Sequence, residues 1–125
     1  MRRRLALIAL PFVLGAAACG PTAPGDSTPD QNRQLGRNLA AERGWVGGEW
    51  ECLETLWSEE SGWDQYADNP HSDAYGIPQA LPGWKMGDGW QHDAWVQIAW
   101  GLGYIDARYG TPCGALNAKR TRGWY

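Results

Sequence analysis

The sequence has few metal-binding side chains and no apolar run long enough to cross a membrane. It contains two histidines and three cysteines among 125 residues. His71 and His92 stand apart from each other and from every cysteine, so the sequence predicts no metal site. The apolar run at residues 5–18 has 14 residues, whereas a transmembrane helix needs about 20. No internal repeat is present. These absences disfavour a metalloprotein and a membrane-spanning protein.

The amino-terminal segment predicts export. Three arginines precede the apolar run, and the run ends in small residues, an order typical of a secretory signal. We therefore predict a signal peptide over residues 1–18. Without those arginines the exported chain has 8 basic and 14 acidic residues, a net charge of −6. A surface of that sign disfavours nucleic acid as a partner.

The parity of the cysteines predicts one lipid anchor and one disulfide. Cys19 follows "LGAAA" directly, a context that resembles the bacterial lipobox, in which the cysteine becomes the lipidated first residue. Lipidation of Cys19 leaves Cys52 and Cys113 to pair in an oxidising compartment. Residues 19–31 then form a lipidated cysteine and a flexible tether rich in Pro, Gly, Ser and Thr. Plain cleavage at an A-x-A site remains the alternative, so the predicted location is the cell envelope, membrane-anchored or secreted to the wall.

Apolar spacing predicts three helices in the folded part, residues 32–125. Their ends are expected near Asp30 and Gly44, near residues 48 and 61, and at Asp93 and Gly110. The third carries an apolar stripe at Trp95, Ile98, Leu102, Ile105 and Tyr109. Between the second and third helices, residues 64–92 are rich in Gly, Pro, Asp and Asn, which predicts functional loops or a small irregular sheet. The residues after the third helix read as a short tail.

Two adjacent glutamates, Glu59 and Glu60, end the second predicted helix. At about 100° per residue, Glu60 shares a face with Leu53, Leu56 and Trp57, whereas Glu59 turns to solvent. A carboxylate on the apolar face, at the negative end of a helix, is costly as an anion. Glu60 is therefore expected to hold its proton, as a general acid must. On spacing alone, the alternative is a helix that ends before Glu60, or a carboxylate that caps a neighbouring backbone group.

Three motifs occur in an order that resembles one family. They are "ESGW" at residues 60–63, "AYGIPQALPG" at 74–83 and "QIAWGLGYI" at 97–105, accompanied by "WECL", "PCGA" and "GWY". Together they resemble the lytic transglycosylase (SLT-type) domains of the lysozyme-like superfamily. The likeness is closest to small secreted actinobacterial members and more distant to resuscitation-promoting factors, and it covers residues 34–125.

The resemblance implies a fold, a reaction and a set of site residues. The fold would be α+β, mostly α and lysozyme-like, with helices around a glycan cleft and a small irregular or β lobe. The reaction would cleave the β-1,4 bond between N-acetylmuramic acid and N-acetylglucosamine without a cofactor, giving 1,6-anhydro sugars. Glu60 matches the catalytic glutamate, and the matching substrate-side positions are Ser61, Gly76, Gln79 and Tyr104. We expect a monomer that binds peptidoglycan strands and reaches the membrane only through a lipid at Cys19.

The nine tryptophans suit a glycan cleft, because flat aromatic faces stack on sugar rings. Most of them are expected to lie in the core. Four aromatic residues of the irregular region are the predicted sugar contacts: Trp63, Tyr75, Trp84 and Trp90.

The chain departs from the family pattern at several positions. Glu59 stands where relatives have a basic or polar residue, and Leu116 and Ala118 replace Trp and His. Asp73 often corresponds to glycine, and as a second carboxylate it would make the protein a muramidase that hydrolyses the same bond. The other alternative is a non-catalytic lipoprotein module that binds peptidoglycan.

Overall fold

A computed structural model of the protein describes residues 26–125. The predicted signal peptide, Cys19 and most of the predicted tether lie outside the described residues. Four α-helices account for most of the described part: α1 (Pro29–Glu42), α2 (Gly48–Ser61), α3 (Ala94–Tyr109) and α4 (Pro112–Arg122). A short 3-10 helix spans Gly83–Met86. The mostly-α class is thus confirmed. None of these helices is both long enough and apolar enough to cross a bilayer.

Helix α1 begins within the predicted tether. The Thr28 hydroxyl accepts a hydrogen bond from the Gln31 N–H (3.2 Å), and the Gln31 side chain accepts one from the Thr28 N–H (2.9 Å). This reciprocal capping box, with Pro29 at the first helical position, starts the helix. Helix α1 thus begins one residue before the predicted start at Asp30 and includes the last three residues of the predicted tether, since Thr and Pro are also residues that start helices.

Helices α2 and α3 have the predicted bounds. The Asp93 carboxylate caps α3 by accepting from the N–H groups of Trp95 (2.9 Å) and Val96 (3.3 Å). Three of the predicted stripe residues are buried in the core: Ile98, Leu102 and Ile105. Trp95 is 55% exposed and does not belong to the buried face, which includes Gln97 and Gly101 instead.

The predicted tail after α3 is a helix, α4. Thr111 caps it by accepting from the Gly114 N–H (3.1 Å), and Pro112 occupies its first position. The Glu49 carboxylate of α2 also accepts from the Cys113 N–H (2.9 Å). Cys52 and Cys113 form the predicted disulfide, with Cα atoms 5.0 Å apart. Helix α4 is therefore fastened to α2 by a covalent bond and by a capping carboxylate from another helix.

The core lies around α2 and α3 and includes a tryptophan predicted to bind sugar. Trp63 is fully buried, and its ring lies 5.6 Å from Trp50 and 5.2 Å from Trp57 between centroids. Its indole N–H points to the Ser58 hydroxyl (3.2 Å). A Cβ at Gly36 of α1 would overlap the Trp63 ring. The prediction that Trp63 contacts substrate is wrong, because the ring fills the space between α1 and α2.

One buried amide organises the irregular segment between α2 and α3. Gln97 accepts from the Ile77 N–H (2.9 Å) and donates to the carbonyl oxygens of Gln65 (2.9 Å) and Trp90 (2.7 Å). Gly76 has a φ of 76°, and a Cβ there would lie 2.6 Å from the Gln97 amide. Within the described residues the only strand-like pairings are isolated bridges in this segment. A buried side chain rather than a sheet therefore holds these turns on α3.

Candidate active site

Glu60 lies in the last turn of α2, at the edge of the core. Its side chain is 19% exposed, compared with 38% for Glu59. Leu53, Leu56 and Trp57, which share its face, are fully buried. Helical spacing therefore distinguished the two glutamates correctly, and Glu60 is the one that is partly withdrawn from water.

Both glutamates pair with cations of α4. The Lys119 Nζ atom lies 3.0 Å from Glu60 Oε1 and 3.3 Å from Glu59 Oε2. Arg120 Nη2 also lies 2.8 Å from Glu59 Oε1. One ammonium group thus lies against both carboxylates at the end of α2. Sequence reasoning missed Lys119 because the residues of α4 were read as a tail.

Ser61 joins the end of α2 to the turn at residues 76–79. Its hydroxyl lies 2.7 Å from the Ile77 carbonyl oxygen and 3.1 Å from the Trp57 carbonyl oxygen, and it accepts from the Trp63 N–H (3.1 Å). These contacts hold the turn at residues 76–79 against the end of α2, next to Glu60. Ser61 is therefore placed to hold the site together.

Gln79 ends that turn in a conformation uncommon for a residue with a side chain, with φ of 55°. Its Nε2 atom donates to the carbonyl oxygens of Ala67 and Gly76, both at 3.0 Å. No described residue donates to its Oε1 atom. Two backbone carbonyl oxygens thus fix the Nε2 atom of the amide, and its Oε1 atom remains an acceptor.

A cleft of about 420 Å³ lies next to this turn. Its walls come from the turn, the 3-10 helix, α3 and the carboxyl terminus: Pro78, Gln79, Ala80, Leu81, Lys85, Trp100, Tyr104, Arg108, Trp124 and Tyr125. Two of the predicted site residues, Gln79 and Tyr104, belong to this lining. The Tyr104 ring is stacked on Trp100, with centroids 5.2 Å apart and planes 14° from parallel. Burial and Tyr109 raise the pKa of Tyr104, and Arg108 lowers it in part.

Tyr125 joins the wall of this cleft to α2 at Trp57. Its hydroxyl accepts from the Trp57 indole N–H (2.9 Å) and donates to the Pro78 carbonyl oxygen (2.7 Å). Burial raises the pKa of that hydroxyl well above its usual range; the Trp57 N–H opposes the rise, and the negative charge of Glu60 adds to it. Glu60 itself is not among the residues that line the cleft; it is joined to the cleft wall through Ser61 and the turn, and through Trp57 and Tyr125.

The other predicted sugar contacts lie outside the lining of the cleft. The Tyr75 hydroxyl donates to the Gln91 carbonyl oxygen (2.7 Å), and its ring meets Trp90 edge-on at 5.1 Å. Burial, followed by Asp68 and Asp64, raises the pKa of Tyr75. Tyr75 and Trp90 thus pack against each other. Trp84 is 65% exposed, on the 3-10 helix.

Gly76 and Asp73 also have positions that bear on their predicted roles. The Gln97 side chain packs against Gly76 and leaves no room for a Cβ atom. Packing inside the protein is therefore enough to explain a glycine at this position. Asp73 is exposed and does not line the cleft. Among residues 26–125, no group of three His, Cys, Asp or Glu side chains is arranged to hold a metal ion.

Comparisons with known proteins found no match to this chain among protein-family models, curated proteins or solved structures. Functional conclusions therefore rest on the site geometry and on the motif resemblance.

Tyr125→Phe should destabilise the protein by about 1–3 kcal/mol, because it leaves the buried Trp57 N–H and the Pro78 carbonyl without their partner. Urea unfolding measures this loss. The matched control is Tyr109→Phe, since the Tyr109 hydroxyl is buried with no hydrogen-bond partner of acceptable geometry among the described residues. Equal losses in the two variants would contradict the assigned role of Tyr125.

The same variant should change the alkaline stability of the protein. The unfolded tyrosine ionises near pH 10, whereas folded Tyr125 keeps its proton to higher pH. The stabilisation is therefore complete below about pH 10 and is lost as the pH rises beyond it. The urea midpoint of the wild type should fall more steeply above pH 10 than that of Tyr125→Phe.

Proposed function

We propose that the protein is a peptidoglycan lytic transglycosylase with a lysozyme-like fold, and that Glu60 is its single catalytic carboxyl group. The observation that carries the proposal is the arrangement around Glu60. A partly buried carboxylate ends α2, Ser61 joins that end to the turn at residues 76–79, and Gln79 leads from the turn into an aromatic cleft. These residues come from two of the motifs that resemble the family, and the third motif contributes Trp100 and Tyr104 to the cleft.

In the proposed reaction one carboxyl group makes both proton transfers. Protonated Glu60 donates its proton to the glycosidic oxygen as the bond to the anomeric carbon breaks. The C6 hydroxyl of the same muramic acid residue attacks that carbon, and the Glu60 carboxylate takes the hydroxyl proton. A 1,6-anhydro ring forms, and the carboxyl group is again protonated. No water is consumed, so a second carboxylate to activate water is unnecessary.

Lys119 has a defined place in this scheme. Its ammonium group stabilises the Glu60 carboxylate, the form that exists between the two proton transfers. Before the first transfer the pair must loosen, since Glu60 has to carry a proton. The same ammonium also lies 3.3 Å from the Glu59 carboxylate.

The envelope setting belongs to the same proposal. The disulfide suits an oxidising compartment outside the cytoplasm. We propose that a lipid at Cys19, or secretion after signal cleavage, places the domain beside peptidoglycan strands. The muramidase alternative would use Asp73 as its second carboxylate, and Asp73 is exposed, whereas Glu60 is partly buried; neither residue lines the cleft.

The products of purified peptidoglycan digestion test the proposal. Mass spectrometry should show muropeptides that are lighter by one water than the hydrolysed forms, because the anhydro ring replaces a reducing end. Asp73→Asn should leave the product distribution unchanged. If the wild type gives only products with a reducing end, the muramidase is favoured. If the protein binds peptidoglycan and does not cleave it, the non-catalytic module is favoured.

A further inference from the structure

Two cations line the cleft without a carboxylate partner. Lys85 lies on the 3-10 helix and Arg108 in the last turn of α3, and both contribute to the cleft wall. In the described part of the chain, the ion pairs within 4 Å involve four other basic residues: Arg33, Arg43, Lys119 and Arg120. Within the described residues Arg37 and Arg122 also lack an ion pair, but neither lines this cleft, so Lys85 and Arg108 are the two unpaired cations among its lining residues.

Aromatic rings hold the guanidinium group of Arg108. Its Cζ atom lies 5.5 Å from the Trp124 ring centroid, 5.8 Å from that of Tyr104 and 5.9 Å from that of Tyr109. Contacts with three rings restrict the positions that the guanidinium can take. Arg108 is nevertheless exposed and lines the cleft, so its planar set of N–H donors is available to an anion there.

The neighbouring wall is aromatic. Trp100 and Tyr104 stack on each other, and the Arg108 guanidinium lies over the Tyr104 ring. Aromatic side chains suit sugar rings, whereas the Arg108 guanidinium and the Lys85 ammonium suit an oxyanion. A neutral oligosaccharide would leave both cations unpaired.

We infer that Lys85 and Arg108 form an anion-binding subsite that takes a carboxylate carried by the glycan. Two sources of that carboxylate are available on a muramic acid residue: the 3-O-lactyl group itself and the peptide attached to it. This inference rests on the proposed function, because it assigns the cleft to peptidoglycan. It makes the protein selective for acidic glycans over neutral N-acetylglucosamine chains of the same length.

Binding to a protein that does not cleave its ligand tests the inference. Titration calorimetry on Glu60→Gln would use three ligands of equal sugar length: a neutral N-acetylglucosamine oligomer, a peptide-free glycan with free lactyl carboxylates, and a peptide-bearing glycan. We expect at least one acidic ligand to bind about tenfold more tightly than the neutral one at low salt, with the difference shrinking at high salt. Preference for the peptide-free acidic ligand identifies the lactyl group, and preference for the peptide-bearing ligand alone identifies the peptide.

Charge-removing variants then assign the preference to these residues. In the Glu60→Gln protein, either Arg108→Gln or Lys85→Gln should reduce the preference for acidic over neutral glycans several-fold, and the two substitutions together should abolish it. Arg108→Lys should retain part of it, since the charge remains. Arg37→Gln is the matched control, because Arg37 is an exposed cation of α1 that lines a different, smaller cavity. Thermal melts check that each variant is folded. If Arg108→Gln unfolds the protein, Lys85→Gln still tests the subsite, because Lys85 is exposed.

Different results would contradict the anion-binding subsite and the proposed function. Equal affinity for acidic and neutral glycans, or a preference that survives the double variant, overturns the anion subsite and leaves the proposed reaction intact. Failure of the folded protein to bind any of the three glycans overturns both.

Discussion

Glu60→Gln should lower the rate of glycan release by at least about 10³-fold while the protein stays folded. The amide has the size of the carboxyl group but has no acidic proton to give to the leaving oxygen, and it cannot accept one from the C6 hydroxyl. A single positioned proton transfer contributes about 10²–10⁴-fold, and the proposed reaction assigns two such transfers to Glu60. Release of soluble fragments from labelled peptidoglycan measures the rate, and far-ultraviolet circular dichroism measures the fold.

Glu59→Gln is the matched control for that variant. It makes the same chemical change one residue away, at a side chain that is 38% exposed and bonded to Lys119 and Arg120. Its activity should stay within about tenfold of the wild type, because surface ion pairs contribute little. If Glu60→Gln keeps comparable activity, another carboxyl group must be the acid. If it loses cleavage and still binds peptidoglycan, the loss is chemical.

The sequence predicted α2, α3 and the difference between the two glutamates because those features are local. Asp93 and Gly110 are cap residues at both ends of α3, and a clear apolar period lies between them. On α2, the angle between Glu59 and Glu60 follows from helix geometry once the helix exists. Local spacing therefore determined which carboxylate is withdrawn from water before any tertiary contact was known.

Helix α4 could not be predicted in the same way. Its sequence, "PCGALNAKRTR", has few large apolar residues, so it lacks a strong stripe. Much of what stabilises it comes from α2, through the disulfide and the Glu49 carboxylate. Lys119 and its pairing with Glu60 were missed for the same reason, since both depend on contacts between residues about 60 positions apart.

The tryptophans show a second limit of sequence reasoning. Trp63 and Trp84 each directly follow a glycine, yet Trp63 is fully buried and Trp84 is 65% exposed. The positive φ of Trp63, 63°, turns its ring back onto α1 and α2. Whether a loop tryptophan fills the core or faces solvent depends on the direction that the chain takes after the helix, which composition and periodicity do not specify.

Removing the disulfide should have the largest effect on stability. The double variant Cys52→Ala/Cys113→Ala frees two residues separated by 61 positions, for which the chain-entropy estimate is about 4 kcal/mol. For a domain of this size, that loss lowers the melting temperature by about 15–30 °C. Calorimetry of the double variant, and of the wild type with and without a reducing agent, measures the change.

The site should respond before the whole domain unfolds, because the disulfide fastens the helix that carries Lys119 and leads to Tyr125. In the double variant, amide hydrogen exchange should rise first in α4 and the residues after it, and glycan release should fall at temperatures where α2 and α3 remain protected. Uniform loss of protection in all four helices would contradict this order. A double variant whose unfolding free energy stays within about 1 kcal/mol of the wild type would show that the Glu49 cap, the Lys119 pairs and the Tyr125 hydroxyl hold α4 without the covalent bond.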